Sequence, residues 1–399
     1  MDFTLTDEQR MLAETLRNLL DAECTVPQLR KLLAEDKTRD ERRWRKLFEL
    51  GLGGVLVSEE DGGLGLGPVD FALVAEECGR ALVPEPLVEQ AGVAALLLIG
   101  AQSLLPDPPT PSSPGLSRGS TSGSLPESLK RRHDVDGRDK PCHDVESVER
   151  VLTAVMAGET TIAVGHPCNP FVVGADAADM LLLEHHREMH LVPREAVTLT
   201  PQPGIDPFRP LFAVDWEPSA ATRLTHAFGP PNFWDAALDR GALFAAAQCL
   251  GIAQRTVEIA VAYAKDRQQF GKPIGSYQAI KHHLATVQVK IEFVRPVVYA
   301  AAAQFRGGDT LSAARISHAK LAAGEAAELA CRTAIQVHGA MGYSWEVDVH
   351  FFLKRALALS GAWGDRAFHR RRVAHRLFET ALPIGADQTF ANEDNRHVA

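Results

Sequence analysis

The chain has 399 residues, of which 45% are hydrophobic, 23% charged and 7% aromatic, and its formal net charge is -9. This length accommodates two or three packed domains of ordinary globular composition. The acidic balance argues against a nucleic-acid-binding protein, whose affinity depends on basic residues that displace counterions. No run approaches ~18 apolar residues, and the chain turns polar after Phe3. We therefore expect no membrane span, no secretory signal and a cytoplasmic location.

The six cysteines are isolated from one another, which favours buried free thiols over disulfides or a zinc site. His186 and His190 have the spacing of a zinc-binding helix, but the apolar segments on both sides indicate two short strands around a polar turn. The glutamate that a metalloprotease needs directly after the first histidine is missing. We predict no metal site.

The first hundred residues are predicted to be helical. Thr6 and Gln9 have the pattern of a capping box before leucines at helical spacing. A second helix is predicted to end at Gly51, and a glycine-rich loop follows it. Further helices are predicted from Asp70 and over Val88–Ile99.

The remainder of the chain divides by composition. A proline-, serine- and arginine-rich stretch cannot bury enough apolar surface to offset its ordering entropy, so we expect a disordered insert. Short apolar segments between turn residues then predict a small β domain. From Phe233, apolar residues at helical spacing predict long helices, the last of them over Val347–Phe378, that form a four-helix bundle. The fold class is mainly α with a small central β domain. The predicted regions are an N-terminal helical domain 1–102, the insert 103–149, a short middle β domain 150–228, the bundle 229–385 and a tail 386–399.

Two segments of the C-terminal third are candidates for nucleotide contacts. In Arg267-x-Gln269-Phe270-Gly271, the arginine offers a fixed fork of donors suited to a pyrophosphate, and the glycine lets the backbone approach closely. In the second segment a helix ends in a turn whose backbone amides can hold a nucleotide. Its residues are Gln336, Val337, His338, Gly339, Ala340 and Gly342. A solvated arginine and a plain helix cap are the structural alternatives.

These two turns resemble the two C-terminal FAD-contacting motifs of the acyl-CoA dehydrogenase family, and the segment 44–82 is similar to the family's helical domain. The resemblance covers about residues 1–100 and 150–380. It implies an α domain, a central β domain and an α bundle, with FAD between domains and across a subunit contact. The two turns would reach the adenosine diphosphate part of a neighbour's flavin.

The implied chemistry is α,β-desaturation of an acyl-CoA thioester. A carboxylate removes the α-proton and flavin N5 takes the β-hydride. The resemblance also implies an electron-transfer flavoprotein as the electron acceptor.

The chain departs from the family pattern at the flavin ring and at the base. Two family motifs that flank the flavin ring are absent, the first of them from the stretch 159–179, so the middle domain is expected to be short. Trp363 stands where one branch of the family has its catalytic glutamate, and Gly241 lies near the position that another branch uses. The nearest carboxylates, Asp365 and Asp239, are the candidate bases. The alternative for both is an ordinary helix-end charge.

Residues 345–350, Trp-Glu-Val-Asp-Val-His, are similar to a string in family members that pair unlike subunits to degrade steroid side chains. The motifs that serve a neighbour's flavin are present, and those that serve the chain's own flavin are absent. The chain is therefore expected to be the FAD-supporting subunit of a heterotetramer with a catalytically complete partner. Two alternatives stay open. One is a self-sufficient homo-oligomer that uses Asp365 or Asp239, and the other is a non-enzymatic scaffold that binds CoA or flavin. The arginine-rich segment 366–376 is expected to be solvated, or to meet an acidic partner or the phosphates of CoA.

Overall fold

A computed structural model of the chain describes residues 4–104, 145–225 and 233–379. Most of the predicted insert, the predicted tail and Cys142 lie outside these residues. The insert was predicted to extend to residue 149, but helix α7 begins at Val145, so residues 145–149 belong to the folded part of the chain. Their apolar residues recur at helical spacing, unlike those of the proline-rich stretch before them.

Helices alone build the N-terminal domain. They are α1 Asp7–Glu23, α2 Val26–Ala34, α3 Glu41–Glu49, α4 Pro68–Arg80, α5 Leu87–Glu89, α6 Ala95–Gln102 and α7 Val145–Met156. The predicted capping box is present, because Gln9 N–H donates to the Thr6 hydroxyl and the Gln9 side chain accepts from Thr6 N–H. A π-helical turn, Gln90–Ala94, joins α5 to α6. π-Helical turns are rare in proteins, and those that occur often lie at functional sites.

The middle of the chain forms two three-stranded sheets. Their strands are β1 Ile162–Gly165, β2 Val172–Val173, β3 Met180–His185, β4 Glu188–Pro193, β5 Thr198–Gln202 and β6 Leu211–Asp215. The strand orders are β1-β3-β4 and β2-β6-β5. His186 and Arg187 form the two-residue turn between β3 and β4 with φ values of 50° and 69°, as in a type I′ hairpin. Within the described ranges no group of histidine, cysteine and acidic residues is arranged to hold a metal ion.

The C-terminal part is a helical bundle with one small hairpin. Its elements are α8 Phe233–Asp266, β7 Gln268–Gln269, β8 Lys272–Pro273, α9 Gln278–Ala303, α10 Thr310–His338, α11 Val349–Gly361 and α12 Arg366–Phe378. The prediction of one last helix over 347–378 was wrong. The chain breaks between α11 and α12 because Trp363 and Gly364 have φ values of 58° and 94°, which no right-handed helix includes.

The bundle is centred on α10, which packs against α8, α9, α11 and α12, while α4 packs against α8 and joins the N-terminal domain to the bundle. One apolar cluster therefore runs through both helical domains. The five described cysteines are free. Among the described helices, none is long and apolar enough to cross a membrane.

Candidate active site

The first predicted nucleotide turn is a hairpin of β7 and β8 around Phe270 and Gly271, whose φ values are 53° and 79°. A side chain at Gly271 would meet no atom within 4 Å, and Phe270 at the tip is 92% exposed. The exposed Arg267 side chain makes no hydrogen bond or ion pair with another described residue. The hairpin therefore presents a cation and bare backbone to solvent.

The second predicted turn follows the end of α10. Gly339 has a φ of 60°, a left-handed conformation that favours glycine, and a side chain there would also meet no atom within 4 Å. Three of the predicted residues are exposed, namely Gln336, Gly339 and Ala340. This part of the turn has the free backbone and the side-chain amide that the sequence predicted.

The other three residues of the second turn are buried. The side chains of Val337 and His338 face the core, and His338 Nδ1 donates to the Ala334 carbonyl at 2.7 Å. A Cβ on Gly342 would lie 2.6 Å from the Ile335 carbonyl oxygen, so packing requires this glycine. The sequence predicted that all six residues contact a nucleotide. In the structure only the three exposed residues and backbone atoms of the segment are accessible for such a contact.

Both turns are anchored on one small core. The ring of His338 stacks on the ring of Tyr263 with centroids 4.1 Å apart. The Tyr263 carbonyl accepts the Arg267 N–H at 2.8 Å. The Gln269 carbonyl accepts from the Tyr277 hydroxyl at 3.3 Å, which ties the hairpin to the start of α9. The structure therefore brings together two segments that are far apart in sequence.

A cavity of about 350 Å³ lies between the β domain and the break that separates α11 from α12. Its lining is largely apolar and includes five prolines, which are Pro84, Pro86, Pro170, Pro203 and Pro210. The polar residues on its wall include Arg39, Glu89, Thr161, Asn169, Asp206 and Arg209. A concave, apolar site with few polar groups is typical of small-molecule binding.

Trp363 forms part of the cavity wall and is 5% exposed. Its indole lies directly on Gly241, where a Cβ would be 2.1 Å from the indole Cδ2. No residue with a side chain fits at Gly241 while Trp363 is in place. The indole therefore occupies both positions at which the family resemblance expects a base.

The Trp363 backbone is held from two sides. Its N–H donates to Asn169 Oδ1 at 2.9 Å, and its carbonyl accepts from His369 Nε2 at 2.9 Å. Burial lowers the pKa of His369 to about 4, so the imidazole is neutral at pH 7. The fully buried Lys320 donates to the Leu359 carbonyl near the end of α11. These contacts fix the break between the two helices.

The two predicted candidate bases lie elsewhere. Asp365 is exposed, and its Oδ1 accepts the Phe368 N–H at 2.7 Å, so it caps α12. Asp239 is 1% exposed and forms an ion pair with Arg372 at 2.7 Å. Burial raises the pKa of Asp239 to about 6, although Arg372 opposes this shift. Neither carboxylate lines the cavity, so the geometry does not support either as its base.

The carboxylates that do line the cavity were not predicted from the sequence. Glu89 forms an ion pair with Arg209 at 2.7 Å, and Asp206 pairs with Arg355. Burial opposes ionisation of Glu89, but the charge and hydrogen bond of Arg209 outweigh it and keep the Glu89 pKa below its usual value. Both carboxylates are thus committed to arginines. Glu89 and Arg209 lie 120 positions apart, so no spacing pattern could have indicated the pair.

Comparison with known proteins shows the family to which the chain belongs. Residues 6–103 match the model of the acyl-CoA dehydrogenase N-terminal domain, and residues 233–378 match that of the C-terminal domain. The acyl-CoA dehydrogenase IpdE2 of Mycolicibacterium smegmatis is 28% identical over 94% of this chain and 100% of the relative. IpdE2 of Mycobacterium tuberculosis is 31% identical over 88% of this chain and 92% of the relative. The chain belongs to the acyl-CoA dehydrogenase family.

Solved structures share this fold. The ChsE4-ChsE5 complex from Mycobacterium tuberculosis matches with a TM-score of 0.73 and 21% identity over 96% of this chain and 100% of that chain. The FAD complex of PigA matches with a TM-score of 0.74 and 17% identity over 94% of this chain and 99% of that chain. As a member of the family, the protein is an FAD-dependent oxidoreductase that acts on acyl-CoA. The predictions of family, fold class and cofactor are confirmed.

Proposed function

We propose that this chain is the FAD-supporting subunit of a heteromeric acyl-CoA dehydrogenase whose partner supplies the catalytic base. Its exposed turns would contact FAD held mainly by the partner. Its own base position is closed. The observation that carries the proposal is the packing of the Trp363 indole on Gly241.

A closed base position follows from this contact. A general base must be ionisable and within hydrogen-bond reach of the proton that it removes. An indole has no such group, and the cavity carboxylates Glu89 and Asp206 are paired with arginines. A bulky residue at positive φ costs about 1–3 kcal/mol and persists only where its surroundings hold it. The hydrogen bonds that Trp363 makes with Asn169 and His369 supply that restraint.

The exposed turns support the other half of the proposal. Their residues fit the diphosphate part of FAD, because Arg267 is a fixed fork of donors without a described partner and the backbone is bare at Gly271 and Gly339. The turns face outward, so the nucleotide that they hold would belong to a neighbouring chain. Phe270 and Tyr343 beside them are 92% and 84% exposed, as expected of a surface that another subunit covers.

The chemistry divides accordingly. FAD, when bound, would supply the acceptor for the hydride of the acyl-CoA β-carbon. Arg267 and the Gln336 turn would bind and orient the nucleotide, while the apolar cavity wall would exclude water. The α-proton goes to a carboxylate of the partner subunit, and an electron-transfer flavoprotein takes the electrons. The apolar cavity and the Trp345–His350 string support a bulky alicyclic acyl group, such as a steroid-derived thioester.

Co-expression tests the proposal. The chain is purified alone and together with a candidate partner, an acyl-CoA dehydrogenase of the same organism that contains the catalytic glutamate. Flavin absorbance and acyl-CoA-dependent reduction of a dye acceptor are then measured for each preparation. We expect FAD and turnover only in the paired preparation, and loss of turnover when the partner's base is changed to glutamine. A lone chain that is yellow and active would overturn the proposal in favour of a self-sufficient enzyme.

A further inference from the structure

The Glu89–Arg209 ion pair introduces two charges into a cavity that is otherwise largely apolar. Both residues line the cavity, and their side chains are 14% and 10% exposed. The ion pair Arg43–Glu85 provides a contrast, since its side chains are 1% and 0% exposed and neither residue lines the cavity. The first pair remains accessible from the cavity, whereas the second is sealed in the core.

The local fold holds Glu89 in place. It is the last residue of α5, directly before the π-helical turn. Gln90, which is fully buried, donates to the Val155 and Thr160 carbonyls at 3.0 Å each and accepts the Ile162 N–H at 3.2 Å. These three bonds tie the helix to the start of β1, which forms another part of the cavity wall. The position of Glu89 is therefore fixed before any ligand enters.

The pair has a definite preference for a ligand group. A guanidinium carries five N–H donors, and Arg209 uses its Nη2 for Glu89. Glu89 can accept further hydrogen bonds. The two charges of the pair cancel, so the site does not attract an anion, and an anionic ligand group would be repelled by the Glu89 carboxylate. A purely apolar ligand group would leave both charges without further hydrogen-bond partners. A neutral group that both donates and accepts satisfies both residues.

We infer that Glu89 and Arg209 form a recognition site in the cavity for a neutral ligand group that donates a hydrogen bond to Glu89 and accepts one from Arg209. The inference rests on the proposed function, in that the cavity receives the acyl group of the thioester. A hydroxyl on an alicyclic acyl chain has this chemistry.

The test uses the FAD-containing assembly of the proposed function. Cyclohexanecarbonyl-CoA and 4-hydroxycyclohexanecarbonyl-CoA are titrated by calorimetry, and the flavin content of each preparation is measured. The variant is E89Q/R209M, which removes both charges together, because a single change would leave one buried charge unpaired. The matched control is R43M/E85Q, which removes the sealed ion pair.

If the acyl hydroxyl is recognised, the native assembly binds the hydroxylated thioester about tenfold more tightly, E89Q/R209M loses this preference and the control keeps it. Flavin content equal to that of the native assembly shows that a variant keeps the assembly intact. Equal binding of the two thioesters by the native assembly, or an unchanged preference in E89Q/R209M, overturns the inference.

A second variant covers a failure of E89Q/R209M to fold. R209K keeps the charge opposite Glu89 but removes the guanidinium fork, so it should lower the same preference. A native assembly that binds neither thioester nor FAD would overturn the proposed function itself, which is a different outcome from equal binding.

Discussion

The exposed turns and the cavity wall at Trp363 use glycine for opposite purposes. At Gly271 and Gly339 the missing side chain leaves open space, and the Arg267 side chain at the start of the first turn is exposed. At Gly241 the missing side chain makes room for an indole that already fills the space. One region is open to solvent, and the other is closed by the chain's own packing. The presence of a glycine alone therefore does not show that a site is functional.

Among the substitutions that test this comparison, Trp363→Ala is expected to have the largest effect on the free energy of unfolding. Removing a buried indole that packs on Gly241 should lower the free energy of unfolding by about 3–5 kcal/mol. Urea denaturation measures this loss. Trp363→Phe is the control, because it keeps an aromatic ring in the space and should lose less. A loss below about 1 kcal/mol for the alanine variant would show that the closed region is not tightly packed.

Asp239→Asn tests whether the buried carboxylate paired with Arg372 is structural. The folded pKa of about 6 lies above the ordinary value of 3.8, so the folded state binds more protons between these values. The unfolding free energy should therefore fall as pH rises through this window, by up to about 3 kcal/mol. Asp239→Asn should abolish this slope in denaturation measured against pH.

Asp266→Asn changes an exposed carboxylate on the same helix; it is the control and should keep the slope. Turnover of the assembly should survive the Asp239 change. Loss of turnover with the fold intact would identify Asp239 as a base and contradict the closed site.

Arg267→Met tests the open region. Loss of charge-assisted hydrogen bonds to a diphosphate should weaken FAD binding by the assembly about tenfold to a hundredfold. The unfolding free energy should stay within about 0.5 kcal/mol, because the side chain is exposed. Flavin content after dialysis measures the first effect. Arg45→Met removes another exposed arginine and should leave FAD bound. Equal flavin loss in both variants would argue for a non-specific charge effect.

Gly241→Ala has the smallest expected effect. The new methyl group would overlap the indole and cost about 1–3 kcal/mol, partly offset by the better helix propensity of alanine. Gly361→Ala is the matched control, since a Cβ there would meet no atom within 4 Å. The cost should disappear when Trp363 is also alanine, because the clash is then removed. Equal costs in both backgrounds would show that the two residues are not coupled.

Local patterns were predictable from the sequence, because they depend on neighbouring residues. The capping box at Thr6 and the hairpin turn at His186 are of this kind. The hairpin at Phe270 was predicted only as a helix connection, because two-residue strands carry no periodic signal. The α11–α12 break was missed, since its apolar spacing continues on both sides of Trp363.

Contacts between distant residues were not predictable. Nothing in the sequence indicates that Trp363 lies on Gly241 or that Glu89 meets Arg209, because packing of separate elements decides both. The family resemblance showed that Trp363 and Gly241 depart from the residues expected at the base positions, but it did not show that the two residues are in contact. The cavity pair lies in regions that carry no motif, so only the folded chain reveals it.

The corner between α11 and α12 has a mechanical consequence. Hydrogen bonds join Trp363 to Asn169 in the β domain and to His369 in α12, and they hold the corner in place. The last helix and the cavity wall are therefore coupled through Trp363. A displacement of α12 by a neighbour bound to its exposed arginines would change the shape of the cavity.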